Sequence, residues 1–210
     1  MKKIGEGFYY KVFNLGNGRV LKKQMSFFSR VRKLIAWGGV EGISPFAMLN
    51  YQKMQKKFNA SLVGSRELLN VLPQSILGNP VFLNNYEYEQ DKVIPLVDTL
   101  PYFTDEQFFA RAYEYVVLQK LLWTYGYSDQ VFNFTINCGI DEKTKKLILL
   151  DFNELTSSKE KVLKNIANKK WNTQMSLRDF PRAELKEHIS RLFENEFTNQ
   201  EVETLWNTKN

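Results

Sequence analysis

The stretch that decides the fold, residues 128–153, reads SDQVFNFTINCGIDEKTKKLILLDFN. It contains a first acid at Asp129, an amide at Asn137 and a second acid at Asp151. The apolar run before Asp151 predicts a buried strand, and the polar residues 142–145 predict the turn of a β-hairpin. A carboxylate that ends a wholly apolar strand is costly unless it binds something. We therefore expect Asp151 to hold a ligand.

The composition is that of a globular protein. The chain has 210 residues, of which 43% are hydrophobic and 14% aromatic, enough for packed cores in one or two small domains. The single cysteine, Cys138, cannot form an intramolecular disulfide, so we expect a reducing compartment and a buried thiol. The first residues lack a signal-peptide pattern, and no apolar stretch reaches the roughly 20 residues that span a bilayer. We expect a cytoplasmic protein, with export by a signal-less route left open.

The charge is moderately basic. The net charge is +6, and basic residues concentrate between Lys22 and Lys33 and between Lys159 and Lys170. Such a surface can attract nucleotide, nucleic acid or acidic protein, but a solvated basic face is more common. The first cluster lacks the interleaved aromatic residues of a stacking platform, so nucleic acid is not the expected partner. With His188 as the only histidine, we expect neither a histidine-ligated metal nor Ser-His-Asp chemistry.

The order of predicted elements is that of an α+β protein with segregated parts. In chain order we expect strands over 4–24, helices over 26–37 and from Ser44, strands over 74–83 and 86–95, a helix over 104–123, the hairpin, and helices over 161–167, 181–196 and 200–206. This order predicts a β-rich half over residues 1–95 and a helical half over residues 96–210, connected near Pro95.

Two further motifs lie in the first half. Residues 4–12 read IGEGFYYKV, and residues 19–23 read RVLKK after a Gly-Asn-Gly turn. Because side chains alternate along a strand, Val20 and Lys22 share one face. Together with the hairpin, these motifs resemble in their order the protein-kinase-like superfamily, in a small and atypical form, over roughly residues 4–156. The resemblance implies a bilobed fold with a β-rich N-lobe and a truncated helical C-lobe.

For the N-lobe, the resemblance implies an ATP site. Gly5 and Gly7 would let the backbone approach the phosphates, while Val12 and Val20 would cover the adenine. Tyr10 stands where the family has a third glycine, which makes the loop less permissive.

The resemblance also implies a lysine that steadies the phosphates. Lys22 is favoured for this role by strand alternation, and Lys23 is the alternative. The family pairs this lysine with a helix glutamate, for which Glu41 is a weak candidate here. The hinge that grips the adenine edge through backbone groups would comprise Gln90, Asp91, Lys92 and Val93.

For the C-lobe, the resemblance implies that Asp129 orients the acceptor hydroxyl. Tyr127 and Ser128 replace the histidine and arginine that usually precede this aspartate.

The implied magnesium ligands are Asp151 and an asparagine. We favour Asn137 because it directly precedes the hairpin strand, and Asn133 is the alternative. Asn153 replaces the family glycine after Asp151 and tolerates a left-handed backbone.

The expected activity is that of an ATP- and magnesium-dependent kinase, with a protein Ser/Thr hydroxyl as the first acceptor class and a small molecule as the second. The chain after Asn153 is too short for the large peptide-docking subdomain of regular protein kinases. The replaced residues at Tyr10, Tyr127 and Ser128 favour a second interpretation, a pseudokinase or nucleotide-binding module.

Overall fold

The structure is a computed structural model that describes residues 1–7, 10–36, 66–174, 177 and 180–209. The chain divides into unit 1 (residues 1–70 and 79–92) and unit 2 (residues 71–78 and 93–210). Antiparallel sheets and several helices make the protein mixed α and β, which confirms the predicted α+β class at this level. The helix expected from Ser44 and the candidate Glu41 lie outside the described residues. No helix described here is both long and apolar enough to cross a membrane.

Unit 1 is built on one antiparallel sheet. Its elements are β1 (Lys2–Glu6), β2 (Tyr10–Asn14), β3 (Arg19–Gln24), helix α1 (Phe27–Ala36), β4 (Val81–Phe82) and β5 (Glu87–Asp91), and residues 66–71 are also helical. The strand order in the sheet is β1-β2-β3-β5-β4. The β2–β3 turn contains Gly16 with φ 84° and Gly18 with φ 79°, a region that L side chains avoid. The glycines of this turn therefore fix the predicted hairpin.

One face of this sheet contains a buried lysine. Lys22 lies opposite Val12 on β2 and Tyr88 on β5, and its Nζ is 5.5 Å from the centre of the Tyr88 ring. Val20 lies two residues away on the same strand and so on the same face. Lys22 is only 7% exposed, so its ammonium group is held inside the unit.

The opposite face contains surface ion pairs. Arg19 contacts Glu89 at 3.2 Å and Asp91 at 2.9 Å, and Lys23 contacts Glu87 at 3.0 Å. The two neighbouring lysines are thus on different faces, as alternation predicts.

Helix α1 is tied to the loop that follows β1. Lys33 Nζ lies 2.8 Å from Glu6 Oε1 and donates to the carbonyl oxygen of Gly7 at 2.9 Å. Lys3 also pairs with Glu6. The hydrogen bonds from Lys3 and Lys33 lower the pKa of Glu6 from its ordinary 4.5 to about 2. With Lys22 buried as well, much of the basic cluster 22–33 makes contacts inside unit 1.

Glu6→Gln should make unit 1 less sensitive to acid. Because the pKa of Glu6 is lower in the folded state, its ion pairs stabilise that state above pH 4.5, and this stabilisation is lost as the pH falls towards 2. Because exposed ion pairs contribute about 0–1 kcal/mol, the effect should stay below about 1 kcal/mol. Urea unfolding followed as a function of pH measures it, with the exposed Glu67→Gln as control. An identical pH dependence in wild type and Glu6→Gln would contradict the expectation.

Unit 2 is mainly helical and contains two small antiparallel sheets. Its elements are β6 (Val93–Pro95), α2 (Leu96–Thr99), α3 (Asp105–Thr124), β7 (Ser128–Asp129), α4 (Phe134–Asn137), β8 (Cys138–Asp141), β9 (Leu147–Leu149), β10 (Leu155–Thr156), α5 (Lys159–Ala167), α6 (Ala183–Glu196), α7 (Asn199–Leu205), and 3₁₀ helices over Gln74–Leu77, Phe152–Glu154 and Lys170–Thr173. One sheet has the order β6-β8-β9 and the other pairs β7 with β10. The predicted hairpin is therefore β8–β9.

The core of unit 2 surrounds α3. Thr104 and Gln107 form a reciprocal capping box at its start, and Gly126 with φ 75° follows its end. Aromatic rings dominate the buried side chains of the unit, among them Phe108, Tyr115, Trp123, Phe132, Phe134, Trp171, Phe193 and Phe197. Tyr115 lies within this cluster, with ring centres 5.6 Å from Phe134 and 5.7 Å from Phe193. Its hydroxyl is thereby held in one place.

The C-terminal end of α3 is capped from a distant part of the chain. The backbone N–H of Asn207 donates to the carbonyl oxygen of Trp123, and that of Lys209 donates to Thr124, both at 2.9 Å. These carbonyls have no partner within the helix itself. Residues 207–209 therefore complete α3.

Strand β8 passes very close to β6. A Cβ on Gly139 would lie 2.7 Å from the carbonyl oxygen of Ile94, closer than real Cβ atoms approach backbone. Glycine at this position lets the hairpin pair with β6, and so fixes where the hairpin lies in unit 2.

One predicted strand is wrong. Residues 74–78 form the 3₁₀ helix Gln74–Leu77, which ends at Gly78 with φ 68°, and Asn79 follows with φ 49°. Two successive left-handed residues turn the chain sharply. A short apolar run fits either a strand or a helical turn, and here the buried Leu77 anchors the turn.

Candidate functional site

Asp129 is a buried carboxylate surrounded by donors. Its exposure is 1%. Oδ1 accepts the backbone N–H groups of Val131 at 3.0 Å and Phe132 at 3.2 Å, and Oδ2 accepts that of Asn133 at 3.2 Å. The Tyr115 hydroxyl donates to Oδ2 at 2.8 Å. Burial raises the pKa of Asp129, and the hydrogen bonds from Val131 and Tyr115 act in the opposite direction.

The loop after Asp129 contains a left-handed residue. Phe132 has φ 55°, which is unusual for a bulky side chain and costs of the order of 1–3 kcal/mol. Its ring is fully buried, with ring centres 5.0 Å from Phe197 and 5.7 Å from Trp171. Ring packing and the Asp129 carboxylate thus hold the loop in a conformation that turns its N–H groups inward.

Helix α3 contributes a second layer of polar contacts. Gln119 Oε1 accepts the backbone N–H of Asp129 at 3.0 Å and the Ser128 hydroxyl at 3.3 Å, and Ser128 Oγ accepts Trp123 Nε1 at 3.1 Å. Burial and the nearby Asp129 raise the pKa of Tyr115 well above its ordinary value, so its hydroxyl stays protonated and can donate. The sequence reasoning missed Tyr115 and Gln119 as site residues. One feature of the sequence could have indicated Gln119, because it is a polar residue within the otherwise apolar stripe of α3.

Asn137 lies between two carboxylates at the end of α4. Its Nδ2 donates to Glu154 Oε2 at 2.9 Å and lies 3.4 Å from Oδ1 and 3.3 Å from Oδ2 of Asp129. Asn137 is 3% exposed. Within the part of the chain that the structure describes, its Oδ1 accepts no hydrogen bond. Glu154 was not singled out from the sequence, although it lies three residues after Asp151.

A backbone hydrogen bond brings the residue before Asp151 to Asn137. The N–H of Leu150 donates to the carbonyl oxygen of Asn137 at 2.7 Å, which continues the β8–β9 pairing and places Asp151 directly after it. Asp151 is half-buried and precedes the 3₁₀ helix Phe152–Glu154, but its side chain forms no capping hydrogen bond. Capping of this 3₁₀ helix therefore does not account for the carboxylate at this position.

Asn153 does not have the left-handed backbone expected from the sequence. It lies within the 3₁₀ helix, which the N–H of Glu154 closes by donating to the carbonyl oxygen of Asp151 at 3.4 Å. The turn after Asp151 is therefore right-handed and needs no glycine.

Backbone pairing connects these segments. Leu155 of β10 pairs with Asp129 of β7, and the N–H of Gln130 donates to the carbonyl oxygen of Glu154 at 3.1 Å. Asn133 contacts Asp129 through its backbone, whereas Asn137 does so through its side-chain amide. The choice between them as metal ligand stays a prediction.

In unit 1, the predicted glycine loop does not need glycine for its own packing. A Cβ on Gly7 would meet nothing within 4 Å, and one on Gly5 would make ordinary contact with Val12 at 3.8 Å. Neither glycine has a left-handed φ. These contacts concern only the residues that the structure describes, and the phosphate-binding role of the two glycines stays a prediction.

The predicted hinge lies where the structure divides the chain, between Lys92 and Val93. Gln90 is fully buried, and the Asp91 carboxylate contacts Arg19 at 2.9 Å and Asn79 Nδ2 at 2.6 Å. The backbone here is also engaged: Gln90 and Asp91 pair with β3, and the N–H of Lys92 donates to the carbonyl oxygen of Gly18 at 2.9 Å. The role of this segment as a hinge stays a prediction.

Asn137 and Asp151 carry side-chain oxygens, the ligand type that magnesium prefers. In the described ranges, no group of three or more His, Cys, Asp or Glu side chains is placed to hold a metal by protein ligands alone. Magnesium commonly binds through one or two carboxylates together with substrate phosphates. These residues therefore fit a metal that arrives with a nucleotide.

No protein-family model matches the chain, and no curated protein matches it significantly. The fold class and the contacts around Asp129, Asn137 and Asp151 are therefore what a functional proposal can rest on.

Proposed function

We propose that this protein is an ATP- and magnesium-dependent phosphotransferase with a reduced protein-kinase-like fold. Unit 1 would be the β-rich N-lobe and unit 2 the truncated helical C-lobe. The acceptor would be a hydroxyl group, with protein Ser/Thr ahead of a small molecule.

The observation that carries this proposal is the convergence of Asp129, Asn137 and Asp151 in unit 2. They come from the short strand β7, the short helix α4 and the segment just after β9, and are separated by up to 22 positions in the sequence. The side chain of Asn137 reaches Asp129, and its backbone holds Leu150 just before Asp151. An acid, an amide and a second acid are the groups that phosphoryl transfer needs at its centre.

The roles follow from the chemistry of each side chain. Asn137 Oδ1 and Asp151 would hold magnesium, which neutralises charge on the phosphates. Lys22 would contact the phosphates, with Val12 and Val20 against the adenine and the backbone of Gln90, Asp91 and Val93 at its edge. The loop at Gly5 and Gly7 would lie over the phosphates.

Asp129 would orient the acceptor hydroxyl. Both of its oxygens already accept hydrogen bonds, so the hydroxyl must replace one of the donors. The contacts from Asn137 Nδ2, at 3.3 and 3.4 Å, are the longest and the easiest to replace.

The burial of Asp129 also favours the second candidate, a pseudokinase or nucleotide-binding module. In that case Asp129 only holds the loop 130–133 in place, and ATP binds without transfer. The two candidates differ in a measurable way.

The test is binding and transfer by the wild-type protein. ATP at about a hundred times its Kd should stabilise the fold by about 2.7 kcal/mol, a rise in Tm of about 5–10 °C for a chain of this size. The rise should require both ATP and magnesium, and γ-labelled ATP should label dephosphorylated casein or a serine-rich peptide. A rise without transfer to any acceptor, including water, would favour the binding module. No rise with ATP and magnesium would overturn both.

A further inference from the structure

The amide of Asn137 has two carboxylate neighbours, and the shorter contact is to Glu154. Nδ2 lies 2.9 Å from Glu154 Oε2, against 3.3 and 3.4 Å to the oxygens of Asp129. Glu154 lies in the 3₁₀ helix after Asp151, and the β7–β10 pairing fixes its backbone. Its side chain is therefore presented to Asn137 by a short, well-anchored segment.

Two carboxylates on one side decide which way the amide faces. A carboxylate oxygen accepts hydrogen bonds, and of the two ends of an asparagine amide only the nitrogen donates them. The nitrogen must therefore face Asp129 and Glu154, and Oδ1 must face the other way. With the amide reversed, a carbonyl oxygen would lie against two carboxylates.

The contact from Glu154 is the one that persists during the proposed reaction. An acceptor hydroxyl that binds Asp129 replaces the long contacts from Asn137. Glu154 then remains as the partner that keeps Nδ2 in place.

We propose that Glu154 is a positioning residue that holds the Asn137 amide so that Oδ1 faces the cation of magnesium–ATP. This rests on the proposed function. Glu154 acts through Asn137 and does not itself bind the metal. Residues that orient metal ligands typically change metal affinity by 10–100-fold when they are removed.

Two substitutions separate positioning from direct metal binding. Glu154→Gln keeps an oxygen that accepts the hydrogen bond but loses the charge, whereas Glu154→Ala loses both. Glu160→Ala, at an exposed position of α5, is the matched control.

The first measurement is the magnesium concentration needed for the ATP-induced rise in Tm. Glu154→Ala should raise it about tenfold or more, while Glu154→Gln and Glu160→Ala should remain near wild type. If Glu154→Gln loses as much as Glu154→Ala, Glu154 is itself a ligand and the proposal is overturned. If Glu154→Ala needs the same magnesium concentration as wild type, the proposal is overturned too, but the proposed function is not affected.

The second measurement does not depend on nucleotide. The side-chain amide of Asn137, assigned by its loss from the ¹⁵N spectrum of Asn137→Asp, should exchange with solvent about tenfold faster in Glu154→Ala than in wild type. Glu154→Gln should keep the slow exchange. If the three exchange rates follow this pattern but the wild-type protein shows no magnesium-dependent binding of ATP, the proposed function fails. The assignment of Asn137 to a metal site then fails with it. If Glu154→Ala exchanges as slowly as wild type, the positioning contact itself is refuted.

Discussion

Asp151→Ala is expected to reduce phosphoryl transfer by about 10³-fold or more. In the proposed function Asp151 is a metal ligand, and loss of such a ligand removes several kcal/mol of charge stabilisation, where each 1.36 kcal/mol is a factor of ten in rate. The fold should persist, because Asp151 is only half-buried and lies outside the core of unit 2. Incorporation of labelled phosphate, measured beside ATP hydrolysis without an acceptor, gives the rate.

Asp98→Ala is the matched control for this substitution. Asp98 is an exposed aspartate on α2 of the same unit, and its replacement should leave both activity and stability unchanged. Equal incorporation by Asp151→Ala and wild type would remove Asp151 from the chemistry and the proposed activity with it.

Asp129→Ala is expected to lower the stability of unit 2 by about 4 kcal/mol or more. It leaves three backbone N–H groups and the Tyr115 hydroxyl buried without their acceptor, and an unsatisfied buried donor costs about 1–3 kcal/mol. Since native proteins are stable by only about 5–15 kcal/mol, unit 2 would be close to unfolding. Urea unfolding followed by tryptophan fluorescence suits this test, because Trp123, Trp171 and Trp206 belong to unit 2.

The same Asp98→Ala protein serves as the stability control. A midpoint for Asp129→Ala within about 0.5 kcal/mol of wild type, the range of ordinary surface changes, would show that the hydrogen bonds around Asp129 are not important for the fold. If the expected loss occurs, inactivity of Asp129→Ala says nothing about catalysis. Asp151 is then the residue to replace in a kinase test.

Much of the fold follows from local signals. The Gly-Asn-Gly turn and the helix predicted over 104–123 depend on local chemistry, and the structure has the turn at Gly16–Gly18 and the helix at Asp105–Thr124, capped by Thr104. Residues 74–78 were predicted wrongly because a segment with only two apolar side chains, Ile76 and Leu77, has no period that separates a strand from a 3₁₀ turn. The decisive feature there, two successive left-handed residues, is not visible in hydrophobicity.

The candidate site was predictable only in part. Asp129, Asn137 and Asp151 stand out because polar residues next to apolar runs are conspicuous in a sequence. Tyr115 and Glu154 do not, because their contacts depend on pairings between segments 14 to 17 positions apart. A buried hydrogen bond between distant residues leaves no local pattern, so the structure was needed to find the residues that hold the site together.

The capping of α3 by residues 207–209 has a consequence for the order of folding during synthesis. The helix carries Tyr115 and Gln119, and Gly126 already donates to the carbonyl of Trp123, but the bond to Thr124 and a second bond to Trp123 come from N–H groups some 80 positions later in the chain. While the ribosome still holds that segment, the end of α3 is exposed to water and free to fray. Segments fold in order as they leave the ribosome, so the last hydrogen bonds of α3 form only when residues 207–209 have emerged. Helix α3 is thus made early, but its C-terminal end gains its full set of hydrogen bonds only after residues 207–209 have been added.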